Sequence, residues 1–327
     1  MISLTNVLDD MRKDFTKDAY KTSKVITRQF SGTSGSRIDI NLYKSDDACE
    51  ISIMLPVDVE KDDLKKIPSW KGMETRFLPA TDSFIAFKQV GEYDSRIFLL
   101  VMQDVIDVAE HADLTMMVEA VSKVLAKWSA FFKRDDLTTL SMIEQQGLYG
   151  ELVILENLLK HRDDIISCWT GCEKETHDFY IDNNAIEVKT SSKSGPDIVK
   201  VSNEYQLDDS DVEGNLYLAF LKIKRSEADG EKLPVIVDRI YQRLSDDQAI
   251  LYEEKLLKSG YILKMPDLYT YAFRVRNERY FEIKMGFPRI VSSDLDKGIG
   301  AVGYELSLDA CSNYEISTDL YLKGVNA

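Results

Sequence analysis

The stretch His177-Asp178-Phe179-Tyr180-Ile181-Asp182-Asn183-Asn184-Ala185-Ile186-Glu187-Val188-Lys189-Thr190 holds two short runs, His177 to Ile181 and Ala185 to Thr190, around a polar trio. Asp182, Asn183 and Asn184 are turn formers, so the stretch predicts a tight hairpin. Glu187 and Lys189 stand two apart on the second strand and share a face. Asp178 lies on the first strand, where pairing can bring its carboxylate beside Glu187. Two carboxylates and one ammonium are expected at one spot.

Working backwards, Ser141 to Leu159 predicts a long helix that carries Gln145-Gln146-Gly147-Leu148-Tyr149-Gly150-Glu151. Gly147 lies four residues before Glu151 on the same helical face, so Glu151 can project past bare backbone as a third carboxylate. A hard cation such as Mg²⁺ takes oxygen ligands, usually one or two carboxylates plus waters and phosphate oxygens. Asp178 and Glu187 suit that role, and Lys189 is placed to orient or help deprotonate a water and to balance phosphate charge. Working forwards, Leu216 to Ile223 is almost continuously apolar and reads as a strand buried on both faces. Helices follow at Val235 to Leu244 and Gln248 to Ser259, then strands at Tyr269 to Val275, Tyr280 to Met285 and Val302 to Leu308.

An acidic residue on a helix, an Asp on one strand and Glu-x-Lys on the next resembles the PD-(D/E)XK nuclease superfamily over roughly Ser141 to Ile223. The resemblance implies that Asp178, Glu187, Lys189 and Glu151 are catalytic. In that reading Asp178 and Glu187 hold Mg²⁺, with Mn²⁺ as a substitute, Glu151 completes the metal site, and Lys189 assists the water. His177 stands where the motif has proline, a position without chemistry in the superfamily. Gln206 is similar to a glutamine that some branches carry after the Lys strand, and Lys193 joins it as a substrate-binding candidate. Lys193, Lys200, Lys222, Lys224 and Arg225, with Arg274, Arg276, Arg279, Lys284 and Arg289 as a second group, are candidates for a phosphate path. Most of the chain also resembles bacterial PD-(D/E)XK-motif proteins of unassigned role, often encoded beside helicase-like ATPases and DNA methyltransferases in phage-defence loci. The implied activity is metal-dependent hydrolysis of DNA phosphodiesters, with DNA and such an ATPase or methyltransferase subunit as partners. The alternative is an inactive nuclease-fold module serving as a structural or DNA-recognition subunit.

The first third reads differently. Leu4, Val7, Leu8, Met11 and Phe15 fall at helical spacing, whereas Ile38, Ile40 and Leu42, then Ile51, Ile53 and Leu55, then Phe84, Ala86 and Phe87 follow strand-like patterns. Ile97 to Met102 reads as a further strand, and Leu114 to Phe132 as a helix that ends in the charged break Lys133 to Asp136. The expected class is α/β (α+β). A β-rich N-terminal domain with flanking helices, residues 1–135, precedes a restriction-endonuclease-like mixed-sheet domain, residues 136–327.

Composition narrows the function classes. With 44% hydrophobic and 30% charged residues in 327, the chain is expected to fold as a soluble protein. No apolar run approaches the roughly 20 residues of a membrane helix. Charges fill the first twenty positions where a signal peptide would be apolar, so a cytoplasmic location without membrane contact is expected. The net charge of −15 excludes bulk electrostatic coating of nucleic acid. Most of the acid excess follows Phe132: 24 basic and 35 acidic residues, against 17 and 21 before it. His161, Cys168, Cys172 and His177 lack a second ligand pair at zinc-finger spacing, so buried thiols are favoured over zinc. No Gly-x4-Gly-Lys-Ser/Thr loop is present, so a partner must supply any ATP-driven step.

Overall fold

Leu4, Leu8 and Met11 are buried at helical spacing, and Leu4–Asp14 is accordingly an amphipathic helix, α1. The computed structural model describes residues 1–57, 59, 64–65, 67–68, 70, 72–79, 82–91, 95–132, 140–173 and 175–325, and divides into two units, Met1–Thr138 and Thr139–Ala327. The break read at Lys133 to Asp136 lies outside the described residues.

The first unit carries five antiparallel strands, β1 (Val25–Ser31), β2 (Arg37–Tyr43), β3 (Cys49–Met54), β4 (Met73–Leu78) and β5 (Phe84–Gln89), in the order β1-β2-β3-β5-β4. Ile38, Ile40 and Leu42 of β2 and Ile51 and Ile53 of β3 form its buried face. The edge strands β1 and β4 were not legible because each buries a single residue fully. Ile97 to Met102 corrects the sequence reading: the run lies inside helix α2 (Ser95–His111). A six-residue apolar run fits a strand or a buried helix equally. Val105, Ile106 and Ala109 extend its buried face at helical spacing and decide for the helix. Helix α3 (Met117–Phe132) closes the unit.

In the second unit, helix α4 (Met142–Leu158) begins at a capping box: Glu144 N–H donates to Ser141 Oγ at 3.3 Å, and Ser141 N–H to Glu144 Oε2 at 2.8 Å. A single turn, α5 (Ile165–Cys168), leads to β6 (Phe179–Ile181), β7 (Asn184–Ser191), β8 (Ile198–Val201), β9 (Leu216–Arg225) and β10 (Glu231–Lys232). Then follow α6 (Leu233–Tyr241), α7 (Asp246–Lys258), β11 (Ala272–Ile283), β12 (Tyr304–Ser307), β13 (Glu315–Ile316) and α8 (Thr318–Val325). The main sheet runs β10-β11-β9-β7-β6, with β13 on β11, and β8 and β12 form a separate pair. It is mixed because β7 and β9 are parallel while the other pairs are antiparallel. Leu216 to Leu221 of β9 are buried throughout, as a strand covered on both faces requires. The two strands read at Tyr269 to Met285 are one strand, β11, interrupted by a register shift between Val275 and Asn277.

Helix α4 packs on β7 through Gly150, where a Cβ would fall 2.3 Å from Thr190 Cγ2. Around a Cβ at Gly147, one turn earlier, there is nothing within 4 Å. The two glycines should therefore answer substitution with opposite signs. Gly150→Val is expected to cost about 1–3 kcal/mol by overpacking. Gly147→Ala is expected to stabilise by up to about 1 kcal/mol through helix propensity. Denaturant midpoints of the two variants check both, and equal midpoints would contradict this packing.

Candidate active site

The hairpin does what its sequence implies. Asp182 takes φ 53°, a left-handed value that Asp tolerates, and the turn sets the register Phe179 opposite Ile186. Extended by one residue, that register brings Asp178 into the field of Glu187. The Asp178 Oδ2 accepts the Val188 N–H at 2.7 Å, which anchors the carboxylate to β7. Glu187 is buried, and its Oε1 lies 2.7 Å from Lys189 Nζ. That ammonium also donates to Gln206 Oε1 at 2.9 Å, and Gln206 Oε1 accepts the Ser202 N–H at 2.8 Å. Gln206 thus orients the lysine.

Glu151 reaches the same place from α4. Its Oε2 accepts the Trp169 indole N–H at 2.8 Å. A Cβ on Gly171 would meet Asp178 Oδ1 at 2.6 Å and Glu151 Oε2 at 2.9 Å, so a bare glycine leaves room for both carboxylates. Burial, then the neighbouring charges of Glu187 and Glu151, push the Asp178 carboxyl well above the ordinary range. Burial raises Glu151 to about 7; Glu187 adds to the rise, while the Trp169 hydrogen bond and Lys189 oppose it. Three crowded carboxyls face one ammonium.

That donor set fits a hard divalent cation, since all its donors are oxygens and it is short of positive charge. Among the described residues no three or more His, Cys, Asp or Glu side chains form a ready metal cage. A Mg²⁺ shell needs only one or two carboxylates beside waters and substrate oxygens. Asp178 and Glu187 are placed to supply them, with Glu151 adjacent.

Other candidates read from the sequence have partners of their own. Lys193 is exposed and pairs with Glu305 at 3.3 Å. Much of the expected phosphate path is neutralised internally: Lys222 meets Asp197 at 2.8 Å, Arg225 meets Glu227 at 3.2 Å, and Arg289 meets Asp209 at 2.8 Å. Arg279 pairs with Asp197, Asp309 and Glu315, Lys284 with Glu282, and Arg274 with Asp229. Cys168 and Cys172 are half-buried rather than buried, with thiols directed at the carbonyls of Asp164 and Trp169. His177 is fully buried behind the site, with Nδ1 3.9 Å from Glu187 Oε2 and Nε2 3.5 Å from Asp211 Oδ1. Trp169 is fully buried, and its bond to Glu151 joins residues 18 apart that no local pattern links. Tyr304 is half-buried in the field of Lys189, and nothing in its sequence surroundings signals this either.

Residues 14–309 match the model of the family described as "Putative PD-(D/E)XK family member, (DUF4420)". The chain belongs to this PD-(D/E)XK family. No curated protein and no solved structure matches it. Membership spans both units, so the N-terminal sheet is part of this PD-(D/E)XK chain's family character. No helix among the described residues is long and apolar enough to cross a membrane.

Proposed function

We propose that this PD-(D/E)XK chain is a metal-dependent deoxyribonuclease, with Asp178, Glu187 and Glu151 around the metal and Lys189 at the water. The observation that carries the reading is the crowding of three carboxyls against one lysine, with Asp178 and Glu151 both held above their ordinary range. Mg²⁺, or Mn²⁺ in its place, would supply charge neutralisation for the scissile phosphate and a more acidic water. The residues do the rest. Asp178 and Glu187 would hold the ion, Gln206 holds the Lys189 Nζ, and Lys189 directs the water oxygen to phosphorus. As that bond forms, the bond to the leaving sugar oxygen breaks, the water's proton passes to solvent and the sugar oxygen takes one from solvent. A helicase-like or methyltransferase partner is consistent with a net charge of −15, which opposes unaided binding to duplex DNA.

A second reading has its own support. The Glu187–Lys189 pair and the Glu151–Trp169 bond satisfy the cluster in part without a metal, as an inactive recognition module would need. Incubation of plasmid and single-stranded DNA with the purified chain separates the two. Cleavage that requires Mg²⁺ or Mn²⁺, stops with chelator and is lost in Asp178→Asn is the expected result. Metal-independent cleavage, or cleavage by Asp178→Asn at the wild-type rate, would refute the proposed site.

A further inference from the structure

The turn after β8 makes three commitments within three residues. Glu204 is buried, and its carboxylate accepts the N–H groups of Ala301 at 3.1 Å and Val302 at 2.8 Å. Backbone N–H groups, its own among them, hold that carboxyl below the ordinary range. The clamp fixes the glycine-rich segment Gly298-Ile299-Gly300-Ala301-Val302-Gly303 beside the turn, with Ala301 held at φ 56°. A Cβ on Gly300 would lie 3.4 Å from Glu204 Oε1, and one on Gly303 3.3 Å from the Ser202 carbonyl. Two residues on, Gln206 holds Lys189 of the candidate site. Tyr205 stands between the two anchors, and it is the one aromatic side chain, among those whose exposure is described, with more than half its surface exposed, at 53%.

An exposed aromatic costs solvation, and the chain buries or half-buries every other aromatic whose exposure is described. Charge cannot supply much grip on a nucleic acid here, because the chain is net acidic and many of its cations are paired with its own acids. Stacking of a base on an aromatic ring does not depend on net charge, and a loop without side chains lets a sugar–phosphate backbone come close.

We propose that Tyr205 and the adjoining Gly298–Gly303 loop form the edge of the site that grips the substrate, with an unpaired nucleobase stacked on the Tyr205 ring and its strand passing along the glycine loop. This deepens the nuclease reading and rests on it for the identity of the site. It names the substrate class as a single-stranded or locally unpaired strand.

The test is fluorescence anisotropy of a fluorescein-labelled single-stranded oligodeoxynucleotide with the full chain at low ionic strength, in chelator so that cleavage plays no part. Tyr205→Ala is expected to weaken binding roughly ten-fold or more, whereas Tyr205→Phe and Tyr205→Trp keep it within about three-fold, because stacking needs the ring and not the hydroxyl. In Tyr205→Trp the indole fluorescence should be quenched on addition of the unlabelled strand. A blunt duplex should bind these variants and the wild type alike. Tyr205 is exposed, so each variant is expected to melt with the wild type. Equal affinity of Tyr205→Ala and wild type, Tyr205→Phe as weak as Tyr205→Ala, or no strand binding by the wild type would each overturn the inference. Ring-dependent binding by a chain that never cleaves with Mg²⁺ or Mn²⁺ would uphold it while sinking the nuclease reading.

Discussion

Lys189→Ala is expected to lower metal-dependent cleavage by about 10²- to 10³-fold, the range lost when a positioned donor to developing negative charge is removed. Its Nζ bridges Glu187 and Gln206 at 2.7 and 2.9 Å. Lys193 is exposed and pairs with Glu305 at the surface. From sequence, a lysine reaching into a cleft contributes little to folding; in the structure it is the cation beside a buried glutamate. Truncation leaves Glu187 uncompensated, and such losses destabilise by several kcal/mol, of order 3–5 in fully buried pairs. Lys189→Gln keeps a donor for Glu187 and should fold better than Lys189→Ala while cleaving no faster. Cleavage by folded Lys189→Gln at the wild-type rate would remove the lysine from the chemistry.

The second large effect concerns charge. Glu151, raised from 4.5 to about 7, keeps its proton in the folded chain over a range where the unfolded chain has lost it. The folded state binds more protons between those values, so metal-free stability should fall as pH rises from about 4.5 to 7. Asp178, shifted in the same direction, adds to the slope. Glu151→Gln should flatten the profile and, at neutral pH, raise the metal-free Tm, as should Asp178→Asn. A divalent ion binds the deprotonated carboxylates, so its stabilising effect should grow over the same pH interval. At a hundred times Kd the ion contributes about 2.7 kcal/mol, a rise of roughly 5–10 °C for a domain of this size. In Asp178→Asn most of that rise should vanish. Melting curves across pH with and without Mn²⁺ measure both parts. A metal-free Tm that climbs through this interval would contradict the carboxyl cluster.

Which features were legible follows from how local their causes are. The capping serine Ser141, the turn at Asp182 and the two-residue spacing of Glu187 and Lys189 act over a few positions, and the helix, hairpin and shared face stand as read. Ile97 to Met102 was misread because a short apolar run fits a strand or a helix until its neighbours are counted. The halves of β11 read as two strands because its exposed middle, Arg276 to Glu278, lacks the apolar residues of its ends. The Trp169 bond to Glu151 and the Glu204 clamp on residues 301 and 302 join positions 18 and up to 98 apart, where pattern has no reach. Local charge counts also misled: Lys222, Arg279 and Arg289 look free in sequence and are paired in space.

Everything proposed for the site depends on Asp178 and Glu187 holding a divalent cation together. Anomalous diffraction from crystals grown or soaked with Mn²⁺ would show that ion itself. One anomalous peak is expected in contact with carboxylate oxygens of both Asp178 and Glu187, with Glu151 beside it and Lys189 Nζ facing a metal-bound water, and no such peak in Asp178→Asn. Ordered wild-type crystals at saturating Mn²⁺ with no peak between those carboxylates, or with the ion bound elsewhere, would refute the metal site.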